Sequence, residues 1–146
     1  MNAPSISSQI EANVMRSEST GVSLRRIWAS RILTALSVLF FLLDGSMKLF
    51  KPPVVVKATV GLGYPESTIV GIGVTLLVCT VLYLIPRTAV LGAILLSGYL
   101  GGAVASNVRA ESPLFNAVFP VLLGVAVWAS LVLRDKRLES LLLKAK

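Results

Sequence analysis

Four long apolar runs alternate with short polar stretches along the chain. The runs cover residues 27–50, 67–85, 88–106 and 114–133. Each has about the length of ~20 helical residues that crosses a bilayer core of ~30 Å. Because a backbone in hydrocarbon must pair its own polar groups, each run predicts a helix rather than a loop or an open strand. The pattern therefore predicts an all-α fold, an integral membrane four-helix transmembrane bundle with short connections.

The connections between the runs contain signals for turns. Pro52 and Pro53 are predicted to end the first helix, since proline removes a backbone donor and clashes with the preceding turn. Residues 54–60 are apolar but too short to cross, which indicates a short interfacial helix between spans one and two. The tight connection at residues 86–88 makes spans two and three antiparallel neighbours, and residues 107–112 are predicted to form a polar loop.

Polar tails flank this membrane domain, which is predicted over residues 24–137. Residues 1–23 are rich in serine and have no apolar face to bury, so we expect a disordered tail there. Residues 138–146 form a second short tail. Both tails are expected in the cytoplasm because of the distribution of basic residues.

Lysine and arginine are distributed unevenly between the two ends of the predicted bundle. Most of the 14 basic residues lie in the tails, near the start of span one, or in the central turn. The remainder lie at the other end: Lys48, Lys51, Lys57 and Arg109. By the positive-inside rule, a multi-pass protein of the bacterial inner membrane with this distribution has both termini in the cytoplasm.

The composition supports a membrane protein and argues against a soluble or nucleic-acid-binding one. Only 14% of residues are charged and 55% are hydrophobic, whereas a soluble domain has about a quarter charged residues. The net charge of +7 is assigned to anionic headgroups, so the lipid bilayer is the predicted partner. Nucleic acid is not, because the chain has no soluble basic face.

Few residues are suited to catalysis or to metal binding. The chain contains no histidine and one cysteine, Cys79. It therefore lacks the residues for an ordinary zinc site, for haem ligation by histidine or for an internal disulfide. No phosphate-binding glycine loop and no nucleophile with a base is present. We therefore predict no catalytic residue, no metal site and no catalysis by this chain alone.

Asp44 and Lys48 form the first candidate site. They are four residues apart near the end of span one, so on a helix their side chains meet. An acid within an apolar run faces protein or a wet cavity, because exposure to lipid is costly. Two interpretations stay open: a structural ion pair that fixes the depth of the helix, or a polar surface for a ligand or proton.

A second group of polar residues lies toward the same side of the membrane. Tyr99 lies within the third run, and Asn107 and Arg109 follow it. Together with Asp44 and Lys48 they could hold a quinone carbonyl or a small anion, which makes a quinone the candidate ligand although no cofactor is identified. The alternative is that they only solvate and anchor the loop.

Small residues follow the third run at intervals of four. They form two adjacent rows: Ala93, Ser97, Gly101 and Ala105, and Gly98, Gly102 and Ser106. In lipid, helices associate through close backbone approach, so this face predicts the most crowded packing surface of the bundle. Ser97, Gly98, Gly101 and Gly102 are its predicted helix-packing residues. The alternative is that the glycines leave room for a flat ligand.

Several segments in order resemble one known family, the DoxX-like family. They are GSMKL at 45–49, GYP at 63–65, YLIPRTAVLGA at 83–93, GYLGGA at 98–103, and Trp128 followed by LVLRD at 131–135. The resemblance covers about residues 31–138 and implies a small bacterial four-helix protein of the inner membrane. The family takes its name from a membrane subunit associated with thiosulfate:quinone oxidoreductase, and some relatives accompany redox enzymes.

Three functional hypotheses follow. The first is a non-catalytic accessory subunit that docks a redox enzyme or holds a quinone-like lipid. The second is a small-solute transporter, which requires Asp44 beside a water-filled path. The third is a structural membrane scaffold. A redox enzyme and a second copy of the chain are the candidate protein partners.

Overall fold

The computed structural model describes residues 6–134, without the side chains of residues 7, 8 and 11–23. Over this part the chain is helical: α1 (Ile6–Phe50), α2 (Pro53–Gly61), a 3₁₀ turn (Glu66–Thr68), α3 (Ile69–Leu84), α4 (Ala89–Arg109) and α5 (Leu114–Arg134). No strand occurs among the described residues. The predicted C-terminal tail at residues 138–146 lies outside them.

Four of the helical segments are long and apolar enough to cross a membrane. They are Leu24–Phe50, Glu66–Leu84, Ala89–Arg109 and Leu114–Arg134. Each spanning helix packs against two neighbours, since α1 contacts α3 and α5, and α4 contacts the same two helices. Large apolar side chains are exposed on the outside of every span, as lipid requires, for example Leu36, Val78, Ile94 and Leu122. The predicted four-helix transmembrane bundle, with its short helix between spans one and two, is confirmed.

Two helices are longer than the sequence predicts. α1 begins at Ile6, so residues 6–23 are helical where a disordered tail was expected, and residues 1–5 lie outside the described part. Adding turns to an existing helix avoids the cost of nucleation, which explains the extension. α4 continues to Arg109 and thereby includes residues 107–109, which were predicted as loop.

The junction between α1 and α2 combines a left-handed residue with two prolines. Lys51 has a φ of 49°, and its backbone N–H donates to the Met47 carbonyl at 3.1 Å. Pro52 then precedes α2, and Pro53 is its first helical residue, where the missing N–H is not needed. The chain therefore turns sharply at the end of span one, and α2 lies across the end of the bundle.

The glycines that permit close helix packing are not those predicted. A Cβ atom on Gly92 would lie 2.2 Å from the backbone nitrogen of Tyr83, and one on Gly73 would lie 2.8 Å from the Lys48 Cβ. A Cβ atom on Gly98, Gly101 or Gly102 would meet nothing within 4 Å. The prediction that Gly98, Gly101 and Gly102 pack against a neighbouring helix is therefore wrong.

The physical reason is the position of the neighbouring helices. Gly98 and Gly102 line one cavity of the bundle and Gly101 lines another, so these small residues border open space instead of a helix backbone. Ser97 differs from the glycines, because its Oγ accepts a hydrogen bond from the Trp128 indole of α5 at 2.8 Å. Of the four predicted packing residues, Ser97 is thus the one with a side-chain hydrogen bond to a neighbouring helix.

Candidate functional site

A cavity of about 460 Å³ lies at the end of the bundle that α2 covers. We call it the Asp44 cavity. Its wall is mostly apolar and aromatic, with contributions from α1, α2, α3, α4 and α5. The polar side chains that line it are Asp44, Lys48, Thr59, Tyr64, Tyr99, Ser106 and Asn107. Four of the five residues predicted to form a ligand site are therefore brought together.

Asp44 and Lys48 form an ion pair on the α1 side of the cavity. The Lys48 Nζ donates to the Asp44 Oδ2 at 2.5 Å, and both side chains are partly buried. Gly73 on α3 makes room for the Lys48 Cβ, so the close approach of α1 and α3 positions the pair. An ammonium has three donors and Asp44 takes one, which leaves Lys48 two N–H groups for a ligand.

Tyr99 and Asn107 contribute polar groups from α4. The Tyr99 hydroxyl makes no hydrogen bond within the described part of the chain. The Asn107 amide donates to the Ala103 carbonyl at 2.9 Å, which leaves its own carbonyl oxygen as an acceptor. Both residues therefore retain hydrogen-bonding capacity on the wall of the cavity.

Three polar residues of the cavity were not assigned to a site by sequence reasoning: Thr59, Tyr64 and Ser106. The Tyr64 hydroxyl lies 2.6 Å from the Ser106 Oγ, and Ser106 donates to the Gly102 carbonyl at 2.8 Å. Tyr64 was expected at headgroup depth, and Ser106 was placed in a row of packing residues. The turn signal Gly63–Pro65 was visible in the sequence, but it does not indicate which helix the tyrosine reaches.

Arg109 is the predicted site residue that does not line the cavity. It is exposed, and its Nη2 donates to the Leu62 carbonyl at 2.9 Å. The same nitrogen lies 2.9 Å from the position of a Cβ on Gly63, whose φ of +87° is left-handed. Arg109 therefore holds the loop after α2 against the end of α4.

Aromatic rings form the wall on the α1–α5 side. The Phe40 and Phe119 rings meet edge to face, with centroids 5.0 Å apart and an interplanar angle of 68°. Phe41 is buried beside them. Gly98 and Gly102 line the same cavity from α4 and present no side chain. The alternative interpretation, in which the glycines leave room for a flat ligand, therefore stays open.

The opposite end of the bundle contains a second polar cluster, formed by Ser30, Tyr83 and Ser130. The Tyr83 hydroxyl is hydrogen-bonded to the Ser130 Oγ, and Ser30 donates to the Ser130 carbonyl at 2.8 Å. All three side chains are almost completely buried. They connect α1, α3 and α5.

Metal ligands do not come together in the part of the chain that the structure describes, where no group of three or more His, Cys, Asp or Glu side chains is found. Cys79 is buried in the core. The chemistry available at the Asp44 cavity is thus hydrogen bonding and charge within an apolar enclosure, which suits a lipid-soluble ligand with a few polar atoms.

Comparison with known families agrees with this architecture. A family model described as the DoxX-like family matches residues 32–130. The chain belongs to the DoxX-like family. This DoxX-like protein is accordingly a multi-pass membrane protein. No curated protein and no solved structure matches the chain.

Proposed function

We propose that the Asp44 cavity binds the ring of a quinone-type lipid, and that this protein is a non-catalytic accessory subunit of a membrane redox system. The observation that carries the proposal is the unused hydrogen-bonding capacity of Lys48 and Tyr99 in an otherwise apolar cavity. Carbonyl oxygens of a quinone accept from N–H and O–H groups. Hydrogen bonds are stronger in an apolar site than in water, so a ligand that pairs with these groups is stabilised.

The walls suit a flat ring. Phe40 and Phe119 offer aromatic surface from α1 and α5, and Gly98 and Gly102 leave open backbone on α4. Aromatic side chains stack with or contact the edges of planar ligands favourably. The volume of about 460 Å³ lies in the range of small-molecule sites. The resemblance to a family named after a quinone-linked subunit supports the same ligand class.

The proposal includes a location and an orientation. In the bacterial inner membrane, the basic residues at the Arg87 end favour the cytoplasm, so the Asp44 cavity opens toward the outer side. Two single-cysteine variants provide the test, each in a Cys79→Ser background. Gly61→Cys places an exposed thiol near the Asp44 cavity, at the end of α2, and Arg87→Cys places one at the other end of the bundle. An impermeant maleimide applied to intact cells should label the first and not the second, and the reverse pattern would contradict the orientation.

The second hypothesis, solute transport, requires a path to the other end of the bundle. Ser30, Tyr83 and Ser130 are buried there and bonded to one another. This arrangement favours a binding site open toward one end over a continuous path. We therefore retain ligand binding as the proposal.

Two lysines make a matched test of ligand binding. In purified protein, Lys48→Met should weaken binding of a short-chain benzoquinone by about tenfold, which corresponds to about 1.4 kcal/mol for a lost charged hydrogen bond. Lys57→Met is the control, because Lys57 is exposed on α2 and does not line the cavity. Calorimetric titration in nanodiscs measures both. Equal affinities for the two variants, or an absence of binding by the wild type, would overturn the proposal.

The accessory role needs a separate experiment. Affinity purification of the tagged protein from its native membrane should recover a redox enzyme, and solvent extraction of the preparation should yield quinone. Recovery of neither would contradict this role and favour a structural scaffold.

A further inference from the structure

A second, larger cavity lies on the outside of the bundle between α4 and α5. This groove has a volume of about 750 Å³ and is lined by Gly101 and Val104 on α4 and by Val121, Gly124 and Val125 on α5, among others. Its polar side chains are Ser97 and Trp128, and these two are hydrogen-bonded to each other at 2.8 Å. The groove therefore offers an occupant apolar contact only.

The groove adjoins the Asp44 cavity. Leu100 and Pro120 line both spaces, so these two side chains form part of the boundary between them. Leu100 is the one that can change rotamer, because the Pro120 ring is fixed to the backbone of α5, and Gly124 places no side chain beside the Leu100 Cδ1. Leu100 is buried in this structure, so a ligand that occupies both spaces has to displace its side chain.

The direction of the groove matches the orientation of a lipid. The Asp44 cavity lies at the loop end of the bundle, and the groove follows α5 from Pro120 to Leu133 toward the opposite end. At 1.5 Å per residue this is about 20 Å of helix, most of one bilayer core. An amphiphile with its head in the cavity would therefore have its chain directed across the hydrocarbon, along the groove.

We propose that the α4–α5 groove binds the hydrocarbon chain of the same ligand whose ring occupies the Asp44 cavity. The inference rests on the proposed function and deepens it: the ligand class is a ring with a long apolar chain, and it enters sideways from the bilayer between α4 and α5. Gly101 acts as a specificity-determining residue for the chain, because its missing side chain keeps the groove open.

Three glycines make a matched set of variants. Gly101 lines only the groove, Gly102 lines only the cavity, and Gly71 on α3 lines neither. At all three, an added Cβ meets nothing within 4 Å, so each substitution begins in open space. The probes are a dimethoxybenzoquinone with a decyl chain and the same ring with a methyl group in its place, titrated into protein in nanodiscs.

We expect Gly101→Leu to weaken binding of the decyl compound by about five- to tenfold, since lipid already solvates the chain and only packing contact is lost. Its affinity for the methyl compound should equal that of the wild type. Gly102→Leu should weaken both compounds, and Gly71→Leu neither. Partitioning into the bilayer raises the apparent affinity of the decyl compound in every variant equally, so the comparison between variants isolates the groove.

The outcomes separate this inference from the proposed function. If both compounds bind and Gly101→Leu leaves the decyl affinity unchanged, the groove assignment is overturned while the ring site stands. A change in oligomeric state of Gly101→Leu with unchanged decyl affinity would assign the groove to a second copy instead. If neither compound binds the wild type, both proposals fail together.

Discussion

The polar residues at the two ends of the bundle differ in whether their hydrogen-bonding groups are paired. At one end Ser30, Tyr83 and Ser130 are buried and satisfy one another across three helices. At the other end Lys48 and Tyr99 line a cavity and keep donors that no described residue uses. Both ends belong to the same helices in the same apolar solvent.

This difference between the two ends suggests how polar residues that stabilise a membrane protein can be told apart from polar residues that are available for binding. A polar group within hydrocarbon must find a partner. Where the partner is another side chain, the cluster holds helices together. Where hydrogen-bonding capacity remains beside a cavity, the proposed ligand would supply the partner. Stability should therefore depend on the Tyr83 end, and binding on the Asp44 end.

The largest effect should come from Gly92 at the structural end. Gly92→Ala places a Cβ 2.2 Å from the Tyr83 backbone nitrogen, and backbone cannot move aside as a side chain can. We expect a loss of about 3 kcal/mol of unfolding free energy from this overpacking. Thermal unfolding in detergent measures it, with Gly71→Ala as the control in open space. Equal stability of the two variants would contradict the described α3–α4 contact.

Next in size is the ion pair at the cavity. Asp44→Asn and Lys48→Met each leave the other charge without its partner, and each should cost about 2 kcal/mol for partly buried groups. The double variant should be more stable than the sum of the two losses predicts, because no lone charge remains. Denaturant unfolding of all four proteins gives the coupling energy, and strict additivity would mean that the pair is not formed.

A pair of tyrosines makes the most direct test of the comparison. Tyr83→Phe removes a buried hydrogen bond and should lower stability by about 1 kcal/mol while leaving quinone affinity unchanged. Tyr99→Phe should leave stability nearly unchanged and weaken quinone binding several-fold. Unfolding and titration of the same two preparations check both statements. The opposite assignment of effects would reverse the roles of the two ends.

The smallest effect is expected at Arg109. This side chain is exposed and bonds a loop carbonyl outside the cavity. Arg109→Gln should change the unfolding free energy by no more than about 0.5 kcal/mol, as is usual for surface substitutions. Quinone affinity should stay within about twofold of the wild type, a difference of about 0.4 kcal/mol. A large loss of affinity would restore Arg109 to the site, as the sequence predicts.

The sequence was sufficient for the spans, because twenty apolar residues in hydrocarbon have one stable conformation. It also indicated the pairing of Asp44 with Lys48, since a spacing of four residues brings side chains together on any helix. These inferences are local and need no knowledge of the neighbouring helices.

The parts that failed depend on tertiary placement. Gly98, Gly101 and Gly102 have the spacing of a packing face, but the same spacing results when small residues border an empty space. Gly92, which does make a close contact, had no distinguishing signal in the sequence. Tyr64 reaches Ser106 only because α2 lies over the end of the bundle, and no pattern along the chain specifies that direction.

The hydroxyl of Ser106 has a single hydrogen, and the Gly102 carbonyl receives it. The Tyr64 O–H then donates the hydrogen bond to the Ser106 Oγ, so the phenol oxygen has only lone pairs left for a ligand in the cavity. The Tyr64 side of the cavity therefore favours a ligand O–H or N–H over a carbonyl, so the carbonyl oxygens of the proposed quinone would have to face Lys48 and Tyr99 instead. A backbone carbonyl of α4 thus determines, through Ser106, the hydrogen-bonding preference of a tyrosine that lies outside that helix.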